Sequence, residues 1–297
     1  MNSYEAHEGD VIKLPKPEVL RSASISISGI LRQNGLKNPE RWAEAIRQST
    51  EERLREYPTV EPHRLDFEKL TAGIINRESK FGLSDRYEFK SNVEKILPEF
   101  LNPFGSKGYA QIDLETAREI AERHGEQLKT EELSTREGSV KFAQRRLAEA
   151  FELYAPQNRP LSEGEKVIIA STYNAGLLRP RNAALQQQLK DLNYFPPEVD
   201  TSGSLGPATL KAFSDFAKAE GISVTQTELK EMLGKSSRGE FEQGLLYTRL
   251  KGRWEETFKQ KPLYAQLPQL ETEKAYTGKI TSKGYSQAVV NYVRGKS

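Results

Sequence analysis

The most chemically pointed feature of the sequence is a carboxylate set at the end of an apolar helical stripe. Phe67, Leu70 and Ile74 recur at helical spacing, with Ile75 flanking, and four residues further along the same stripe stands Glu78. This spacing predicts a helix over 64–80 that carries Glu78 at its end, in line with its buried face. Burial disfavours the charged form of a carboxyl group and raises its pKa. A carboxylic acid that stays protonated near neutral pH can hand a proton to a leaving group and take one back, which is general acid–base chemistry. Ser79 follows at once. Two further segments combine turn residues with hydrogen-bonding and aromatic side chains: Gly108-Tyr109-Ala110-Gln111-Ile112 and Tyr173-Asn174-Ala175-Gly176. Asp85 and Glu88 lie close enough in sequence to supply a second carboxylate; their plainer reading is as solvated loop charges.

Other chemistries are poorly served. The 297 residues include no cysteine, which excludes disulfides, thiolate metal sites, iron–sulfur clusters and a cysteine nucleophile. The three histidines, His7, His63 and His124, are far apart and none sits in an H-E-x-x-H pattern. A His-based metal site or a Ser-His-Asp triad therefore has little support, and no metal or cofactor is called for. With 44 basic against 42 acidic residues, the charge of +2 gives no electrostatic case for nucleic acid. No apolar run approaches the roughly 18 residues of a membrane span.

The elements that must position these groups are helices. Pro15 and Pro17 break up the first 18 residues. Asn38-Pro39 opens a helix running to Tyr57, with Trp42, Ala45, Ile46 and Leu54 inward. Asp113 caps a helix that ends at Gly125. Val140, Ala143, Leu147, Phe151 and Tyr154 mark another amphipathic helix. Ser162-Glu163-Gly164-Glu165 is a capping box opening an apolar helix that ends at Gly176, a residue suited to a left-handed terminus. Further helices are expected at 182–192, from Pro207 to about Glu220, and at 226–233, 239–259 and 284–294. Strand signals are few and short, so the fold class is mainly α.

In order, Glu78-Ser79, Gly108 to Ile112 and Tyr173 to Gly176 resemble the three signature motifs of the soluble lytic transglycosylases, E-S, G-L-M-Q-I and A-Y-N-A-G. That family shares the goose-type lysozyme fold, and the resemblance covers roughly residues 64–180. Ala110 stands where the family has methionine, removing a side chain that would pack near the glutamate, and Thr172 stands where it has alanine. The resemblance implies a lysozyme-like helical catalytic domain with added helices at both ends. It also implies cleavage of the MurNAc-GlcNAc β-1,4 bond of peptidoglycan strands by one catalytic glutamate, Glu78, leaving 1,6-anhydroMurNAc ends. Ser79 would hydrogen-bond substrate or Glu78, or simply make a local side-chain-to-backbone bond. Gln111 would bind a sugar amide or brace the cleft, or else stabilise its own loop. Tyr173 would hydrogen-bond near Glu78 or the sugar, its alternative being a core tyrosine. Tyr109 would stack on a sugar ring or cover the core, and Asn174 would hold the helix end beside the substrate.

Trp42 to Ile46, Arg181 to Gln186 and the closing third resemble a family of proteobacterial lipoproteins named only as a domain of unknown function. This resemblance implies an envelope, periplasmic location. Met1 to Asp10 lacks the charged start and apolar stretch of a signal peptide, so the expectation is either a chain that stays where it is made or a leader already removed. Residues 184–216, with Leu185-Gln186, Leu192-Asn193-Tyr194 and Gly203 to Thr209, resemble a peptidoglycan-binding repeat. The expected layout is a tail and helical extension over 1–62, the transglycosylase-like domain over 63–180, the repeat-like segment over 181–222 and a helical region over 223–297. Two alternatives share this fold: a non-catalytic peptidoglycan-binding envelope protein, and a hydrolytic muramidase in which a second carboxylate faces Glu78.

Overall fold

The computed structural model describes residues 26–84, 88, 106–199, 201–235, 238–261 and 282–294. Within them the chain is mainly helical, as its sequence predicts. The helices are α1 (Ile27–Gln33), α2 (Pro39–Glu56), α3 (Arg64–Ser79), α4 (Leu114–Arg123), α5 (Arg136–Tyr154), α6 (Glu163–Ala175), α7 (Arg179–Asp191), α8 (Pro207–Ala219), α9 (Gln226–Gly234), α10 (Arg238–Glu242), α11 (Leu245–Phe258) and α12 (Ser282–Val293). Two short antiparallel strands, β1 (Ser106–Lys107) and β2 (Ile112–Asp113), pair Ser106 with Asp113 and Lys107 with Ile112. They pin the ends of the loop that carries Tyr109 and Gln111. Among the described residues no helix is long and apolar enough to cross a membrane.

Helix starts follow their sequence signals, with one exception. Ser162 and Glu165 form the full capping box of α6. The Asp113 carboxylate accepts from the backbone N–H groups of Glu115 and Thr116 at the start of α4. Asn38, expected to cap α2, instead adopts a left-handed conformation (φ 57°) and makes no side-chain cap bond; Pro39 alone marks the start. The continuous helix expected over 239–259 is broken, because Gly244 is extended (ψ 133°) between α10 and α11. Helix α1, anchored by Ile27, Ile30 and Leu31, was not anticipated from the sequence. Gly176 takes a positive φ of 99° with ψ 144°, a region essentially reserved for glycine but outside the left-handed helical well expected there.

The main core runs from Tyr57 through α3, α5, α6 and α7 to α12, with Phe67, Leu70, Ile74, Leu147, Phe151, Ile168, Ile169 and Val289 fully enclosed. Fully burying one such side chain contributes about 1.5–3 kcal/mol. Helix α12 packs against α3 and α6. It approaches α3 closely because Gly73 has no side chain: a Cβ there would stand 2.9 Å from both Val289 Cγ1 and the Val289 carbonyl. A second core gathers α1 and α2 with Ala72, Ile75, Phe81, Ala110, Val140, Ala143 and Tyr292. The two cores meet at α3, one on each side of its length.

Candidate active site

The apolar stripe of α3 behaves as its spacing predicts: Phe67, Leu70, Ile74 and Ile75 are wholly buried. Glu78 follows on this stripe in the last turn, partly buried. Directly after it the backbone turns sharply. Lys80, Phe81 and Gly82 have φ of 50°, 58° and 87°, three consecutive residues on the left-handed side. For the two that are not glycine this costs roughly 1–2 kcal/mol each. Two contacts hold the turn. Ser79 Oγ accepts from the Gly82 N–H at 3.1 Å and donates to the Ile75 carbonyl at 3.2 Å. Phe81 is buried edge-on against Trp42, with ring centroids 5.0 Å apart. Ser79 is 1% exposed, so its hydroxyl builds the turn from beneath.

The loop between β1 and β2 comes next. Gly108 has φ 75°, and a Cβ there would lie 1.7 Å from the Leu133 carbonyl, so only glycine fits. Ser139 of α5 clamps the loop, accepting from the Tyr109 N–H at 2.9 Å and donating to the Leu133 carbonyl. The Tyr109 ring stands edge-on to Trp42 at 5.2 Å, partly exposed. Gln111 has φ 49° and its amide donates to the Gly108 carbonyl at 2.6 Å, bracing the loop. Ala110 is fully buried in the second core beside Trp42, Phe81 and Tyr292. Aromatic side chains thus share the core with a residue one methyl long.

Helix α6 brings in the third segment. The Tyr173 hydroxyl donates to the Ala110 carbonyl at 2.8 Å, which fastens the end of α6 to the loop. Burial raises the Tyr173 phenol well above its ordinary pKa; the Glu78 carboxylate beside it raises it further, and Arg146 of α5 opposes. Glu78, the Ala110 loop and Tyr173 therefore converge on one place. Asn174 is exposed at the end of α6. Glu88 is exposed, and Asp85 lies outside the described residues.

One residue of this cluster has no counterpart in the motifs. Tyr285, near the start of α12, is 6% exposed. Its phenol is pushed well above the ordinary value, first by burial, then by the charges of Glu78 and Tyr173. The Arg77 guanidinium lies over its ring, 6.0 Å from the centroid. Tyr285 is separated from Glu78 by most of the chain, so local spacing could not reveal it; the one usable signal was a tyrosine in the apolar stripe of the closing helix.

The histidines do structural work. His63 contacts the Pro156 carbonyl, and His124 shares a hydrogen bond of 3.0 Å with the Tyr57 hydroxyl. His7 lies outside the described residues. Among those residues no group of three His, Asp or Glu side chains is arranged to hold a metal ion.

The family described as a protein of unknown function (DUF1615) matches residues 79–294. The chain belongs to this family. The match takes in the Tyr109–Gln111 loop, Tyr173 and Tyr285, and begins one residue after Glu78. It leaves out α1 and α2. No curated protein and no solved structure matches the chain.

Proposed function

We propose that the protein is a peptidoglycan lytic transglycosylase in which Glu78 alone serves as acid and then base. One observation carries the reading: the Tyr173 hydroxyl bonded to the Ala110 carbonyl at 2.8 Å, with Glu78 beside that same phenol. Three segments separated by up to about a hundred residues come together there, in the combination that the sequence resemblance requires. A partly buried carboxyl group flanked by two enclosed phenols has lost part of its hydration. Loss of hydration works against the charged form of a carboxyl group, which suits a group that must carry a proton to a glycosidic oxygen.

In the proposed reaction, protonated Glu78 gives its proton to the oxygen that leaves as the anomeric C–O bond breaks. The 6-hydroxyl of the same muramic acid then forms the new bond to the anomeric carbon, and the Glu78 carboxylate takes the hydroxyl proton. The acid is regenerated, no water is consumed, and a 1,6-anhydro end results. A second carboxylate, which most glycosidases use, is not needed. Tyr109, at the lip of the loop, is available to stack on a sugar ring. Gln111 and Ser79 act on the shape of the site through the loop and the turn. A peptidoglycan substrate would in turn put the protein in the cell envelope.

The test is incubation with intact sacculi and mass spectrometry of the released fragments. Fragments lighter than hydrolytic products by one water support the reading. Reducing ends would assign a muramidase instead.

A further inference from the structure

Between α2 and the start of α5 lies an open cavity of about 460 Å³. Three arginines, Arg41, Arg47 and Arg136, and three carboxylates, Glu40, Glu44 and Glu137, line it. The carboxylates are already paired: Glu40 with Arg32 outside the cavity, Glu44 with Arg47 at 3.7 Å, and Glu137 with Arg136 at 3.6 Å. Arg41 is exposed and has no ion-pair partner among the described residues. Arg136 is oriented but not saturated. Its guanidinium lies over the Trp42 ring, 5.4 Å from the centroid, and its Nε is buried with no hydrogen-bond partner among the described residues. Stacking on an indole fixes the plane of a guanidinium and leaves its N–H groups for a planar acceptor. Local stability does not call for this residue. Arg136 is the first residue of α5, where the helix dipole favours anions and opposes cations. An anion bound there meets the guanidinium and the helix end together.

Two links tie the cavity to the candidate active site. Trp42, which carries Arg136 on its ring, stands edge-on to Tyr109 at 5.2 Å. Ser139, one helical turn along α5 from Arg136, accepts from the Tyr109 N–H at 2.9 Å.

We propose that this cavity is a subsite for the peptide stem of the substrate strand, with Arg136 and Arg41 receiving a stem carboxylate. The inference deepens the reading of the protein as a peptidoglycan-cleaving enzyme and rests on it. A sugar stacked on Tyr109 brings its own substituents toward Trp42. In peptidoglycan the charged substituent of muramic acid is a peptide with free carboxylates. A lining of paired charges with spare guanidinium donors suits a carboxylate on a chain that also carries amide and amino groups. The assignment gives α2, which precedes the span matched by the family, a part in recognition.

The test uses the full chain, Arg136→Gln and Arg41→Gln, with the stem peptide freed from sacculi by an amidase as the probe. In titration calorimetry the peptide should bind the unsubstituted protein, and Arg136→Gln about tenfold more weakly, the scale of one lost charge-assisted contact. Arg41→Gln changes an exposed residue and should weaken binding about threefold, which keeps the test open if Arg136→Gln folds poorly. On sacculi, KM should be about tenfold lower for stem-bearing strands than for amidase-stripped ones, and Arg136→Gln should reduce that preference to about twofold. No binding of the peptide, binding that neither substitution weakens, or equal KM on stem-bearing and stripped strands overturns the inference and leaves the enzymatic reading standing. Peptide binding weakened by both substitutions, with no fragments released from sacculi, keeps the subsite and overturns the enzymatic reading instead.

Discussion

Residues divide here into those that face the site and those that build it. Glu78 and Tyr109 are partly exposed around the loop, whereas Ser79 and Gly108 are consumed in holding backbone. Ser79→Ala should therefore act through the turn after Glu78. It removes the acceptor for the Gly82 N–H, and with it the contact that steadies two left-handed non-glycine residues. A loss of about 1–2 kcal/mol in the denaturant midpoint is expected. A stability unchanged by Ser79→Ala, together with lost substrate affinity, would return Ser79 to the substrate. Gly108→Ala is harsher. Its Cβ would overlap the Leu133 carbonyl at a positive φ, so we expect a loss of at least about 3 kcal/mol, visible as reduced soluble yield or a lowered Tm.

At the scale of elements, much was legible and the reasons are local. The α3 stripe, the Asp113 cap and the Ser162 box all depend on neighbours within four residues, where spacing carries the information. Ser162→Ala should cost about 1 kcal/mol in thermal unfolding, since both bonds of the box depend on that hydroxyl or on its partner Glu165. The pairing of α12 with α3 was not legible. Gly73 reads in sequence as a mere weak spot in a helix; only the fold reveals Val289 against it. Gly73→Ala gains helix propensity worth up to about 1 kcal/mol and meets overpacking worth about 1–3 kcal/mol. We expect the overpacking to win, with Tm falling. A rise in Tm would mean that α12 moves aside freely at Val289. The three segments of the candidate site stand out in the sequence and Tyr285 does not, because it reaches Glu78 by tertiary contact alone.

Across the whole molecule, one continuous core links the motif-bearing helices to α7, α8, α9 and α12. The family match follows this continuity, reaching from Ser79 to Arg294. A charged network ties α2 to α5. Arg145, 2% exposed, binds Glu56 at 3.1 Å and Glu126 at 2.7 Å, and Lys141 binds Glu126 at 2.7 Å. The hydrogen bond from Arg145, then that from Lys141, holds Glu126 down to about 2, against burial. A depressed carboxyl pKa contributes stability above its unfolded value of 4.5, and that contribution fades as pH falls toward about 2. Because the Glu126 side chain is 38% exposed, solvent screens the effect. The urea midpoint should drop more steeply on acidification across that window in the unsubstituted protein than in Glu126→Gln. Equal slopes would remove Glu126 from the network's pH dependence.

We propose Glu78 as the single acid–base of a glycan-cleaving site. Its most direct test compares the protein with Glu78→Gln on intact sacculi, reading released muropeptides by mass. We expect 1,6-anhydro ends from the unsubstituted protein and a loss of about a hundredfold or more in Glu78→Gln, with sacculus binding retained. Equal release by both proteins, or binding by both without any release, would contradict it.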